Sequence, residues 1–136
     1  MYQKILVPMA LNHGISPQTL EIARALMAPG GSIVALHVFE VPKGSVSAYI
    51  GEEVIQKGLD KAAEVLREKT SHLDGVSTDI IRGEAHRKIV DYAVEHDFDC
   101  IVIGSHKPDL SDYLIGSTAA RVVRHAPCAV HVHRDS

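Results

Sequence analysis

Only two of the 136 residues are cysteine, Cys100 and Cys128, too few for the disulfide framework of a small secreted domain. Both fall in or beside apolar segments, so they read as buried free thiols in a reducing compartment. The sequence also lacks any apolar run near 18 residues, and Met1-Tyr2-Gln3-Lys4 carries no signal-peptide pattern. Those two absences point to a cytoplasmic chain that is not membrane-embedded. A basic excess is missing too, since 14 Lys and Arg stand against 17 Asp and Glu, for a net charge of −3. Nucleic acids and anionic membrane surfaces need clustered basic charge, so neither is an expected partner. No linker, repeat or low-complexity tract interrupts the chain, and 46% hydrophobic with 23% charged residues is an ordinary globular balance. A single domain over residues 1–136 follows.

Signatures of catalysis and of metal binding are equally scarce. His13, His37, His106, His125, His131 and His133 are scattered without an H-E-x-x-H or a Cys/His cluster. No Ser/His/Asp order or paired carboxylate stands out, and Asp109, Asp112 and His106 are linked only by lying in one loop. Arg121, Arg124 and His125 lie on the polar side of the last helix and read as a solvated face near its C-terminus.

What the chain does have is alternation of short apolar runs with helical periodicity. Ile5-Leu6-Val7-Pro8 reads as a strand, and Ser16-Pro17 as a helix start with Leu20, Ala23 and Leu26/Met27 inward, ended by Pro29-Gly30-Gly31. Ile33 to Phe39 is a second strand, apolar except for His37. Glu40 to Ala48 is irregular enough for a loop or lid over one end of the sheet. A helix over about 50–72 carries Ile55, Leu59, Ala62 and Leu66 inward, with Gly58 costing about 1 kcal/mol relative to Ala. Val76 to Ile81 is a third strand, and the next helix turns Ile89, Val90 and Ala93 inward. Cys100 to Ile103 is a strand buried on both faces that ends at Gly104. Gly116-Ser117-Thr118 opens a last helix with Ala119, Val122, Val123 and Ala126 on its apolar face. Pro127 stops that helix before a fifth strand. Five strands alternating with four helices make an α/β doubly wound parallel sheet, helices on both faces.

A glycine-and-serine helix start behind a strand is a potential anion site, because the first helical amides lack partners and carry the positive end of the dipole. Gly104 and Gly116 would let backbone N–H groups approach a phosphate, with hydroxyls from Ser105, Ser117 and Thr118. An isolated pair of this kind equally serves to end a strand and cap a helix.

The segment 98–133 resembles the universal stress protein family. The family's nucleotide motif is Gly, two residues, Gly, nine residues, then Gly followed by Ser or Thr. Gly104 matches the first glycine and Gly116-Ser117 the last, whereas Lys107 stands at the second and eight residues separate it from Gly116. Ser-His-Lys-Pro-Asp, Tyr-Leu-Ile-Gly-Ser-Thr-Ala-Ala and Val-Val-Arg-His-Ala-x-Cys are most similar to the F/G-type subgroup, which includes nucleotide binders. The resemblance implies a five-stranded sheet in the order 3-2-1-4-5 (adenine nucleotide alpha hydrolase-like), with its switch point between strands one and four. It implies ATP as ligand, with AMP or ADP as alternatives and Mg as an open companion. The site would be lined by Pro8, Ala10, Val38, Gly104, Ser105, His106, Lys107, Gly116, Ser117 and Thr118. The family's aspartate after the first strand is replaced by Ala10. Val38 would pack on the base, and Lys107 would supply charge to the phosphates. It further implies a homodimer through Val130, His131, Val132 and His133, and a transporter or other protein as a partner. Function on this basis is an ATP-binding regulatory or stress-response module. A non-nucleotide-binding dimeric interaction module and a slow ATP hydrolase or phosphotransferase are the alternatives.

Overall fold

The computed structural model describes residues 1–11, 17–40, 51–105 and 116–134. In chain order these form β1 (Tyr2–Pro8), α1 (Pro17–Leu26), β2 (Met27–Phe39), α2 (Glu52–Thr70), β3 (Val76–Arg82), α3 (Ala85–Glu95), β4 (Cys100–Gly104), α4 (Ser117–His125) and β5 (Ala129–His133). The strands pair in parallel in the order β3-β2-β1-β4-β5, as the family resemblance implies. Parallel neighbours need crossovers, and the intervening helices supply them.

Two cores follow from strand alternation. Ile5, Val7, Ile33, Ala35, Cys100 and Val102 face one side and pack with Leu20 and Ala23 of α1 and Leu66 of α2. Leu6, Leu36, Val38, Ile101 and Ile103 face the other and pack with Ile89 and Ala93 of α3 and Ala119 and Val122 of α4. Because both faces are covered, β4 is an unbroken apolar run, buried from Cys100 to Ile103. The same alternation keeps the two thiols apart. Cys100 belongs to the α1/α2 core and Cys128 packs on the α3/α4 core, so both remain free. Asp99 fastens the start of β1 to β4, its carboxylate accepting from the N–H groups of Gln3 and Lys4 at 2.9 Å each.

Several expected boundaries and faces change. Helix α1 ends at Leu26 rather than at the Pro-Gly-Gly run, and Met27 already pairs with Tyr2. From Tyr2↔Met27 to Lys4↔Ser32 the register advances two residues on β1 and five on β2, so residues 28–31 bulge. Gly31 is required there by close approach. A Cβ on it would lie 2.7 Å from Met27 Cγ and 3.0 Å from the carbonyl oxygens of Ala28 and Gln3. Gly58 likewise has a packing reason beyond its helix-propensity cost, since a Cβ would sit 2.8 Å from Phe39 Cζ. Val123 is not part of the buried face of α4. It is 47% exposed, while Ala119 and Val122 are buried and Ala126 lies beyond the helix as its C-cap.

Candidate functional site

At the switch point the chain leaves β1 for α1 on one face and leaves β4 for α4 on the other, so the carboxyl ends of β1 and β4 border a crevice. The backbone on the β1 side is pinned. Met9 N–H donates to the Leu36 carbonyl at 2.8 Å, and the Met9 carbonyl lies 2.7 Å from His37 Nδ1. A carbonyl only accepts, so His37 carries a proton on Nδ1. Ala10 follows at once and is exposed, with Pro8 half-buried beneath it. His37 holds this backbone, a contact that the sequence did not show. Its signal was a lone imidazole in an otherwise apolar strand, two residues before the strand end.

The β4 side is built from Ser105 and Gly116, the described residues that flank 106–115. Among the described residues, a Cβ placed on Gly104 meets nothing within 4 Å, which leaves open space over the strand end. Ser105 N–H donates to the His133 carbonyl at 2.8 Å, and the Ser105 carbonyl accepts from Gly116 N–H at 2.7 Å. Gly116 therefore spends its amide on Ser105, and that N–H does not point at a ligand. Its φ of −59° and ψ of 152° are open to any L-residue, so backbone freedom does not require glycine here. Helix α4 begins at once, with Ala120 N–H donating to the Gly116 carbonyl at 2.9 Å. Among the described residues no side chain caps this helix, so the amides of its first turn stand at the crevice with the dipole behind them. Ser117 is exposed and Thr118 half-buried on that turn.

Helix α3 offers the opposite case at the same edge of the sheet. Glu40, at the end of β2, accepts from Ala85 N–H at 2.8 Å, so a carboxylate already occupies that helix start. The structure thus brings Pro8, Ala10, Gly104, Ser105, Gly116, Ser117 and Thr118 to one edge. Val38 contributes differently, since its side chain is buried in the α3/α4 core. His106 and Lys107 lie outside the described residues, as do Asp109, Asp112 and the expected lid 41–48.

The remaining polar candidates divide between solvent and structural partners. His131 is exposed, and His133 Nε2 lies 2.9 Å from Gln18 Oε1 of α1. Among the described residues no group of three His, Cys, Asp or Glu could hold a metal ion. Burial, then Cys128 and Asp99, push the Cys100 thiol up to about 11, which removes it as a nucleophile at neutral pH. Arg121 is exposed as expected, yet its Nη1 reaches within 3.5 Å of His86 Nδ1 on α3.

The model of the universal stress protein family matches residues 1–134. The chain belongs to the universal stress protein family. A universal stress protein of Methanothermobacter thermautotrophicus is 30% identical over 149 residues, covering 98% of this chain and 97% of the relative. Universal stress protein G of Escherichia coli O157:H7 is also 30% identical, over 148 residues, with 98% and 100% covered. Among solved structures, universal stress protein UspA from Lactobacillus plantarum superposes with a TM-score of 0.73 at 25% identity, covering 98% of each chain. Two fold neighbours were solved with nucleotides. One is a universal stress protein in complex with cAMP (TM-score 0.69, 19% identity, 99% of each chain covered). The other is the universal stress protein from Archaeoglobus fulgidus in complex with dAMP (TM-score 0.60, 21% identity, 96% and 97% covered). No described helix of this universal stress protein is long and apolar enough to cross a membrane.

Proposed function

We propose that this universal stress protein binds an adenine nucleotide in the crevice between β1 and β4 and acts as a cytoplasmic, nucleotide-dependent regulatory module. One observation carries the reading. Of the two helix starts on the α3/α4 side of this edge, α3 is filled by Glu40, whereas among the described residues α4 has no side-chain cap and lies beside open space over Gly104. A phosphate would accept from the first-turn amides of α4 and from the Ser117 and Thr118 hydroxyls, with Ser105 and Lys107 nearby. Pro8, Ala10 and the backbone of Val38 would border the nucleoside, over a floor held by the His37 bond to Met9. The complexes of the two fold neighbours with cAMP and dAMP support adenine as the base. ATP is the preferred ligand of this proposal. Because Ala10 brings no carboxylate from the β1 side, magnesium would be held by the phosphates with little help from that side.

The proposal includes a homodimer through β5. That strand is an edge of the sheet, and the outward N–H groups of Val130 and Val132 would pair with a second copy. At the opposite edge one outward donor is already covered, since Ile80 N–H donates to the Asp79 carboxylate at 2.8 Å.

Isothermal titration with ATP, ADP, AMP and adenosine, with and without magnesium and with product analysis, tests the function. Micromolar-range binding of ATP that exceeds adenosine and weakens with salt is the expected result. Adenosine binding as tightly as ATP would remove the phosphate contacts, silence with every ligand would leave the dimeric interaction module, and product formation would make the protein a hydrolase.

A further inference from the structure

We infer that His86 is a proton-controlled latch that decides whether Arg121 is tied to α3 or released toward the start of α4. His86 Nδ1 lies 3.3 Å from Glu84 Oε1 and 3.5 Å from Arg121 Nη1. One ring nitrogen cannot serve both. A guanidinium only donates and an ionised carboxylate only accepts, so Arg121 needs the Nδ1 lone pair while Glu84 needs an Nδ1 proton. The neutral ring, protonated on Nε2, holds Arg121. The imidazolium turns to Glu84 and repels Arg121.

The three side chains span two helices. Glu84 is the N-cap residue of α3, His86 stands in its first turn, and Arg121 is in α4. A proton on one atom therefore makes or breaks a bridge between them. The His86 side chain is 20% exposed, so solvent protons reach it. Among the described residues, the neighbouring charges on the adjoining elements are engaged or turned outward. From β2, Glu40 is engaged with Ala85 N–H. From β3, Arg82 is paired with Glu52 at 2.8 Å. On α3 itself, Arg87 is exposed and the Lys88 stem lies against Gly83. From α4, Arg121 is the cation that reaches the ring.

Release has a direction. Arg121 is four residues beyond Ser117 and three beyond Thr118, hence on the same helical face, and helical side chains lean toward the N-terminus. A guanidinium freed from His86 covers the turn that holds those hydroxyls. The consequence rests on the reading of this turn as the phosphate end of the nucleotide site, and it adds regulation to it. Nucleotide would be held more tightly when the ring is protonated.

The latch is tested without nucleotide, by NMR titration of the His86 ring in the parent protein, Arg121→Gln and Glu84→Gln. Loss of the cation should raise the midpoint and loss of the carboxylate should lower it, each by a few tenths to about one pH unit. Midpoints that stay put in both variants overturn the latch. The release is tested by titrating ATP at two pH values on either side of the midpoint. Phosphate esters themselves titrate near pH 6, so the quantity compared is the low-to-high-pH affinity ratio, parent against Arg121→Gln. A ratio about 2- to 5-fold larger in the parent is expected for a partly exposed ion pair. Equal ratios overturn the release onto the site even if the midpoints move. Should the parent bind no adenine nucleotide at either pH, the nucleotide reading fails, and the His86 titration still decides the latch.

Discussion

Single side chains in this protein join segments that the sequence keeps far apart, and Tyr92 gives the clearest measurable case. Its hydroxyl donates to Asp79 at 2.8 Å, and its ring stacks on Phe98 with centroids 5.7 Å apart. Burial, followed by the Asp79 hydrogen bond and the Asp79 charge, pushes the phenol from about 10 up to about 12. The unfolded chain therefore loses this proton near pH 10 while the folded protein keeps it. Stability supplied by the bond is complete below about pH 10 and declines as the pH rises toward 12. Tyr92→Phe should cost about 1 kcal/mol at neutral pH. Its stability should approach that of the parent as the pH climbs, as followed by urea unfolding at pH 7, 10 and 11. Parallel pH curves for the two proteins would show that the phenol is not linked to folding. Cys100, pushed up toward about 11 by burial, adds an alkaline slope common to both proteins.

At the scale of elements, α2 and β5 make contrasting predictions. Helix propensity alone says that Gly58→Ala stabilises α2 by about 1 kcal/mol. The structure opposes it, because the new Cβ would meet the tip of the Phe39 ring at 2.8 Å. The two effects separate in a double-mutant cycle. Gly58→Ala should gain close to the full propensity term when Phe39→Leu has removed the ring tip, and clearly less in the parent background, by thermal or urea unfolding. Additive effects would mean that the ring pivots away at no cost. For β5, the bond from Ser105 N–H to the His133 carbonyl shows that His133 faces β4, so Val132 directs its backbone to the open edge. Proline at that position removes an outward donor while leaving the β4 ladder in place. Val132→Pro is expected to turn the proposed dimer into a folded monomer in light scattering, with cooperative unfolding retained. A dimer that persists would place the interface elsewhere.

For the whole molecule, the decisive experiment is on the ground between strand and helix. Gly116→Val keeps the backbone angles accessible and the N–H bond to Ser105, yet adds a branched side chain at a buried position beside the α4 amides. ATP affinity should fall by at least about tenfold, a loss of about 1.4 kcal/mol, with the fold intact by circular dichroism. Unchanged affinity would show that phosphate does not approach this turn. The legibility of the protein divides along the same line. Sequence by itself determined what repeats at short range: five apolar runs, helix starts at Pro17 and Ser117, the burial of β4, and two unpaired thiols. With the family resemblance it also led to the 3-2-1-4-5 order, because hydrophobic periodicity and chain connectivity are local quantities. Tertiary structure alone decided which polar groups are spent. The Gly116 amide goes to Ser105, Glu40 fills the start of α3, Asp99 ties down β1, and Arg121 reaches His86 instead of facing only solvent. Those partners lie between 11 and 96 residues apart in the chain. No periodic pattern marks a single directional bond, whose existence depends on distance and angle once the sheet and its helices have assembled.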